Sequence, residues 1–329
     1  MNLVQKAVGH GGKLAPLILP SEITGGTGLM NPSVFIDDES DILCVLRHIN
    51  YTLYHAEHEQ RFPSIWGPLS YLHPEEDQHL RTTNYLCRLD SDFNITDYCL
   101  IEMLNLHEPI WDFVGLEDAR LTQWNGDYYL SGVRRDTTTN GQGRVEKCRI
   151  ELDKVNWTAK EVERVRIPVA DESSYCEKNW MPILDRPNHY VKWTNPTEVI
   201  ESVAQISRVA SLKGGAVPPT DQRGGSQLVP YKDYYIAITH EVVLFKNYMG
   251  QKNGTYRHRL CVWNKDMELV GFSPESFSFL EGQIEFCNGI AEHNGRFLVG
   301  FGFQDNAAFM LEVPLTVIDQ LLEEALHGN

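Results

Sequence analysis

The stretch Gly115-Leu116-Glu117-Asp118-Ala119-Arg120-Leu121-Thr122-Gln123-Trp124, closed by Asn125-Gly126 and answered by Asp127-Tyr128-Tyr129-Leu130-Ser131, reads as a β-hairpin that opens on charge and runs into apolar strand. Asn-Gly is a strong signal for a two-residue hairpin turn, because both turn positions need positive φ. Four other segments repeat the same order of polar opening and apolar run. They are Asn31-Pro32-Ser33-Val34-Phe35, Glu177-Lys178-Asn179-Trp180-Met181-Pro182, Gly224-Gly225-Ser226-Gln227-Leu228-Val229-Pro230 and Ile284-Glu285-Phe286-Cys287-Asn288-Gly289. Each leads toward an aromatic or β-branched partner run: Ile42 to Leu46, His189 to Trp193, Tyr234 to Thr239, and Phe297 to Phe301. Units repeating every fifty to eighty residues, roughly, read as blades of a propeller, which gathers its first strands around one axis. The expected fold is therefore all-β, a five-bladed β-propeller forming one domain over 1–329, with blade openings near 31, 115, 177, 224 and 284. Its polar openings converge on one pocket.

Outward from these hairpins the chain is less regular. Residues before about Met30 are rich in Gly and Pro and read as a lead-in strand or arm. Tyr51 to Arg81 is a long connection with Phe62, Trp66 and Tyr71, expected to lie over the mouth of the pocket, since so long a loop in a compact domain is usually functional or packed on the core. Glu146 to Leu152 is expected as the outer strand of the second blade. After Pro314, the apolar residues Val317, Ile318, Leu321, Leu322 and Leu326 recur at helical spacing, so a short C-terminal helix is expected near 315–327.

The 329 residues carry 29 Lys and Arg against 45 Asp and Glu, a formal charge of -16 that disfavours nucleic acid and anionic membrane as partners. With no segment of transmembrane length and no cationic-then-apolar start, the expected location is the cytoplasm. Seven cysteines stand singly, and Cys44, Cys148, Cys261 and Cys287 fall in apolar strand runs, as expected of reduced, buried thiols. His55, His58 and His258 lack the spacing partners of a zinc site, so no metal is expected.

Glu117-Asp118-x-Arg120 is the most pointed chemical element, because alternation along a strand sends adjacent carboxylates to opposite sides. One enters the pocket, where desolvation would raise its pKa and suit it to general acid catalysis, while the other is tied down; register decides which. The competing reading is a strand-end ion pair. Arg47, Arg134, Arg135, Lys178, Arg223 and His240 occupy comparable ends of other units, and Asn179 follows Lys178, so an anion-binding pocket in an acidic protein is the expectation. Lys178 as a solvated strand end and His240 as a structural histidine are the plain alternatives. Lys213-Gly214-Gly215 and Arg223-Gly224-Gly225-Ser226 allow close backbone approach to a ligand or form an inter-blade loop, and match no nucleotide motif. Glu285 and Asp305 on the fifth unit are further carboxylates for sugar hydroxyls or ion pairs.

Gly115-Leu116-Glu117-Asp118-Ala119-Arg120 with Tyr128-Tyr129, then Lys178-Asn179, His240, and Gly302 to Asp305, resembles the five-bladed enzymes of glycoside hydrolase family 130, the mannoside phosphorylases, and their mannosyltransferase relatives. The family's element is E-D-P-R; Ala119 stands at the proline. The resemblance implies Asp118 as general acid, acting directly or through a substrate hydroxyl, and Arg134, Arg135, Lys178 and His240 as holders of phosphate. It also implies inverting transfer of a mannose-like unit between a glycoside and phosphate or an activated donor, with inorganic phosphate or a sugar phosphate as co-substrate and no other cofactor. A nucleotide-sugar glycosyltransferase and a noncatalytic sugar- or protein-binding propeller are the rival readings. The sequence is silent on oligomeric state.

Overall fold

The computed structural model describes residues 1–25, 27–52, 59–62, 65, 69–72, 79–169, 173–174, 176–203, 206–212 and 215–327. Strands dominate, with few helices. Strand pairing follows the hairpin grammar closely. Leu29–Ile36, Ile42–Ile49, Leu80–Leu89 and Ile95–Glu102 form one antiparallel meander, and Glu117–Trp124, Asp127–Arg134, Arg144–Asp153 and Thr158–Arg166 form the next. A third is built from Met181–Pro182, His189–Trp193, Thr197–Val203 and Ile206–Leu212, and a fourth from Val229–Tyr231, Tyr234–Lys246, Lys252–Trp263 and Leu269–Phe272. The last joins Glu285–His293, Arg296–Phe303 and Ala307–Pro314 to the N-terminal strand Lys13–Leu17, paired Lys13 to Glu312. The first two meanders also meet edge to edge through Ala159 and Ile101.

The turns form for the reasons their residues predict. Asn125 and Gly126 have φ of 55° and 87°, and Asn294 and Gly295 have 50° and 73°, so each pair supplies the two left-handed positions of a tight hairpin. The strand Arg144–Asp153 is third in its meander, and the outer edge is Thr158–Arg166, which corrects the expected outer strand. The lead-in segment also holds a helix that the sequence reading lacks, Leu3–Gly9, capped by the Asn2 side chain accepting from the Gln5 amide at 2.9 Å. Its seven residues are too few for periodicity to show. Leu3, Val4 and Ala7 are buried in one cluster with Val317, Ile318, Leu321, Leu322 and Ala325 of the expected C-terminal helix, Leu315–His327. Cys44, Cys87, Cys148, Cys261 and Cys287 are buried, and all seven cysteines are free thiols.

The first strands of four meanders are stitched to one another at the centre. Gln227 Nε2 donates to the Val34 carbonyl at 2.7 Å, Asn288 Nδ2 to the carbonyls of Asn31 and Ala119 at 3.0 and 3.1 Å, and Arg120 Nε to the Gly225 carbonyl at 2.7 Å. Backbones approach closely enough there to demand glycine. A Cβ on Gly224 would lie 1.8 Å from the Asn179 carbonyl oxygen. The glycines of this segment thus serve contact between neighbouring strands; Lys213 and Gly214 lie outside the described residues. His55, His58 and most of the 51–81 connection lie outside them as well, although the buried Tyr51 hydroxyl accepts from Arg47 Nη2 at 3.1 Å and ties the start of that connection to the centre.

Candidate functional site

Antiparallel pairing puts the starts of first strands and the ends of second strands at one end of the molecule. Met30 faces Arg47, Glu117 faces Val133, Glu285 faces Phe303, and Arg223 bridges to His240. At the openings the chain departs from regular strand in a repeated way. Asn31, Asp118 and Asn179 have φ of 48°, 50° and 61°, the left-handed region that Asn and Asp tolerate better than other non-glycine residues. The ladders of the first, second and fifth meanders are also interrupted by bulges at this end. A bulge re-aims the side chains beside it.

One consequence corrects the expectation drawn from alternation. Glu117 and Asp118 do not face opposite sides. Arg47 Nη1 donates to Asp118 Oδ1 at 2.9 Å, its Nη2 lies 4.0 Å from Glu117, and both carboxylates line the same cleft with Asn179 and Trp180. Asn31 Nδ2 donates to Asp118 Oδ1 at 2.7 Å, and Arg135 Nε lies 3.7 Å from Glu117. Burial pushes the Asp118 carboxyl up, but the charges of Arg47, Lys178 and Arg120 and the Asn31 hydrogen bond outweigh it and hold Asp118 below the usual carboxylate value.

The carboxyl with a raised pKa is instead Asp305. It occupies the turn after Phe303 with φ 49°, and burial pushes it up to about 6; Arg47 and Lys178 pull it down, while the nearby negative charges of Asp118 and Glu117 push it further up. Two carboxyls thus share one environment that holds one below and the other above the usual carboxylate value.

The cations belong to several meanders. Lys178, Arg223 and Arg135 are joined by Lys252, whose pKa is lowered by burial and by those three charges. Among the described residues neither Lys178 nor Lys252 forms an ion pair; Arg223 lies 3.3 Å from Asp221. His240 is buried, stacked on Tyr256 at 5.5 Å between ring centroids and set edge-on to Phe286 at 5.0 Å. Burial, then His258, Lys178 and Arg223, keep its imidazole neutral.

Three expected site residues serve other ends. Arg134 is buried away from the cleft, donating to Glu146 at 2.8 Å and Asp136 at 3.1 Å, because the strand carries it to the opposite side from Arg135. Glu285 is fully buried and accepts from the amides of Phe279, Leu280 and Gly282 at 2.6 to 2.8 Å, which fixes the loop before the fifth meander. Arg120 is a buried pin between Gly225 and the Asp118 carbonyl, which it reaches at 3.0 Å, so it holds the backbone that presents the acid cluster. Sequence reasoning missed Tyr51, Lys252 and Tyr256 as members. Tyr256 was within reach, since it alternates with His258 on one strand face; Tyr51 and Lys252 belong to segments with no motif.

His258 is fully buried against Phe277 and Phe279, at 6.0 and 4.8 Å, and neither ring nitrogen makes a hydrogen bond of normal geometry. Burial depresses it to about 3. Below pH 6.5 the unfolded chain takes up a proton that the folded chain refuses, so stability falls toward acid pH by about 1.4 kcal/mol per unit until about 3. Urea denaturation of the parent and of His258→Phe across pH 4.5 to 7.5 is expected to differ by that one-proton slope below pH 6.5, on top of the pH dependence that both share through His240 and Asp305; equal slopes would exclude His258 as a source.

No family model and no curated protein matches the sequence. Solved structures do. The β-1,2-mannobiose phosphorylase from Listeria innocua, solved with β-1,2-mannobiose, superposes with a TM-score of 0.54 at 12% identity over 93% of this chain and 95% of that one. The chain has the fold of the mannoside phosphorylases. A structure from the GH130 family, described as targeting β-1,2 mannosidic linkages in Candida mannan, gives 0.54 at 12% identity over 88% and 85%. MPT-1, a GDP-Man-dependent mannosyltransferase from Leishmania mexicana, gives 0.50 at 12% over 94% and 93%. The phosphorylase fold therefore spans nearly the whole chain, with carbohydrate-active enzymes among its holders. Among the described residues no helix is long and apolar enough to cross a membrane, and no cluster of His, Cys, Asp and Glu could hold a metal.

Proposed function

We propose that this chain is a one-domain propeller of five blades that transfers a glycosyl unit, mannose-like, between a glycoside and phosphate or an activated sugar donor. The observation carrying this reading is the pairing of an ionised Asp118 with a protonatable Asp305 beside a group of cations, Lys178, Arg223, Arg135 and Lys252. A glycosyl transfer needs a proton for the departing oxygen and positive charge for an incoming or departing phosphate. Asp305, protonated below about pH 6, supplies the first. Lys178, Arg223 and Arg135 supply the second. Asp118, clamped by Arg47 and Asn31, stays charged and orients sugar hydroxyls or stabilises positive charge at the anomeric carbon. Asn179 lines the same narrow cleft, and the buried Trp180, donating to Glu177 at 3.2 Å, backs its wall. Similarity to phosphorylases and to a mannosyltransferase supports the class of chemistry and leaves the donor to experiment.

The test is turnover. The purified chain is incubated with β-mannosides and inorganic phosphate, and separately with nucleotide sugars and mannoside acceptors. Release of hexose 1-phosphate identifies a phosphorylase, and nucleotide release with a lengthened acceptor identifies a transferase. No turnover, together with no rise in melting temperature from phosphate, hexose 1-phosphate or nucleotide sugar, would leave the noncatalytic propeller.

A further inference from the structure

The fourth meander carries a hairpin out of proportion to its sheet. Its middle strands, Tyr234–Lys246 and Lys252–Trp263, run 13 and 12 residues beside outer partners of three and four. The six pairs from Glu241 with Arg257 to Lys246 with Lys252 extend past His240, about 20 Å of ladder at ~3.4 Å per residue. Alternation puts Lys252, Gly254, Tyr256 and His258 on one face of that ladder, and Tyr256 caps His240 at the site. Lys252 is therefore carried on the site-facing side. Besides Arg223, the charges that act on it come from other meanders, Lys178 of the third and Arg135 of the second. The hairpin thus leans over the mouth. Lys252 is partly buried, whereas Lys246, its cross-strand neighbour, is exposed.

The charges are layered. Lys178 acts on both Asp118 and Asp305, so it borders the acid cluster. Lys252 is acted on by cations alone and lies four residues beyond Tyr256 along the ladder. Arg223 and Arg135 each have a carboxylate within 4 Å, whereas Lys178 and Lys252 form no ion pair among the described residues, and holding these two near the other cations costs free energy that a bound anion would recover. A single orthophosphate beside Lys178 and Arg223 leaves Lys252 unanswered.

Resting on the reading of this site as one of glycosyl transfer, we propose that Lys252 is a specificity-determining residue that binds the second of two linked phosphates, so that the site favours a diphosphate-bearing sugar donor over orthophosphate. The inner phosphate lies against Lys178 and Arg223, and the outer one under the hairpin against Lys252.

Calorimetric titration of the full chain with inorganic phosphate and with inorganic pyrophosphate tests this, using Lys252→Met and, as a remote control for loss of one charge, Lys160→Met, whose side chain pairs with Glu151 on the outer surface. Pyrophosphate is expected to bind the natural protein at least tenfold more tightly than phosphate, and that ratio to fall at least fivefold in Lys252→Met and not in Lys160→Met. Because Lys252 loses no ion pair and its removal relieves repulsion, the variant should melt at or above the parent temperature. Phosphate binding with a ratio near one, or a ratio that survives Lys252→Met, overturns the inference and leaves glycosyl transfer standing. Binding of neither anion overturns both.

Discussion

Asp305→Asn is expected to lower turnover by about 10²–10⁴-fold, the range lost when a positioned proton donor is removed. The parent enzyme should show kcat/KM falling tenfold per unit above about pH 6, because a general acid works only while protonated and Asp305 gives up its proton there. That limb should vanish in Asp305→Asn. In Asp118→Asn it should move to lower pH, since the negative charge that helps keep the Asp305 proton in place is gone. The family resemblance names Asp118 as the acid, and the two assignments separate cleanly. A basic limb that persists in Asp305→Asn and disappears in Asp118→Asn would give the role to Asp118.

The distinction was not legible in the sequence, and the reason is local backbone geometry. Asn125-Gly126 and Asn294-Gly295 announced their hairpins because a two-residue turn constrains residue type strongly. The first-strand openings were legible as units for a similar reason, each pairing polar residues with an apolar run. What alternation could not give was the direction of Glu117 and Asp118, since Asp118 takes a left-handed conformation and the ladder bulges between Ser131 and Val133. Arg134 and Arg135 failed in the opposite sense. Alternation does hold there, so only one of the pair reaches Glu117 while the other is consumed by Glu146 and Asp136. Glu285 sits at an opening like its counterparts, but three backbone amides of the preceding loop claim it, a demand visible only once the loop has folded back. Lys252 depends on the overhang of one long hairpin, which no residue pattern marks, whereas Tyr256 follows from its alternation with His258.

Arg47→Met is expected to destabilise the protein by about 3–5 kcal/mol near pH 8, the cost of leaving buried charge without its partner. Arg47 is the contact shared by Asp118 at 2.9 Å and Glu117 at 4.0 Å, and both carboxylates are 15% exposed, too little for water to replace the guanidinium. In the parent, Asp118 lies below its unfolded value, so its contribution is present above about pH 4 and is lost as pH falls further. Without Arg47 the order reverses, since burial and the neighbouring Glu117 and Asp305 charges then raise Asp118 and the folded state binds protons more readily than the unfolded chain. The stability gap between parent and variant should therefore narrow as pH falls from 8 to 5, although the parent itself loses stability over that range through His258. Urea titrations of both proteins at the two pH values measure the gap directly. A gap that stays constant would mean that Arg47 acts through its neutral hydrogen bonds to Thr82 and Tyr51, at 3.2 and 3.1 Å, and that Asp118 keeps its low pKa from Asn31, Lys178 and Arg120 alone.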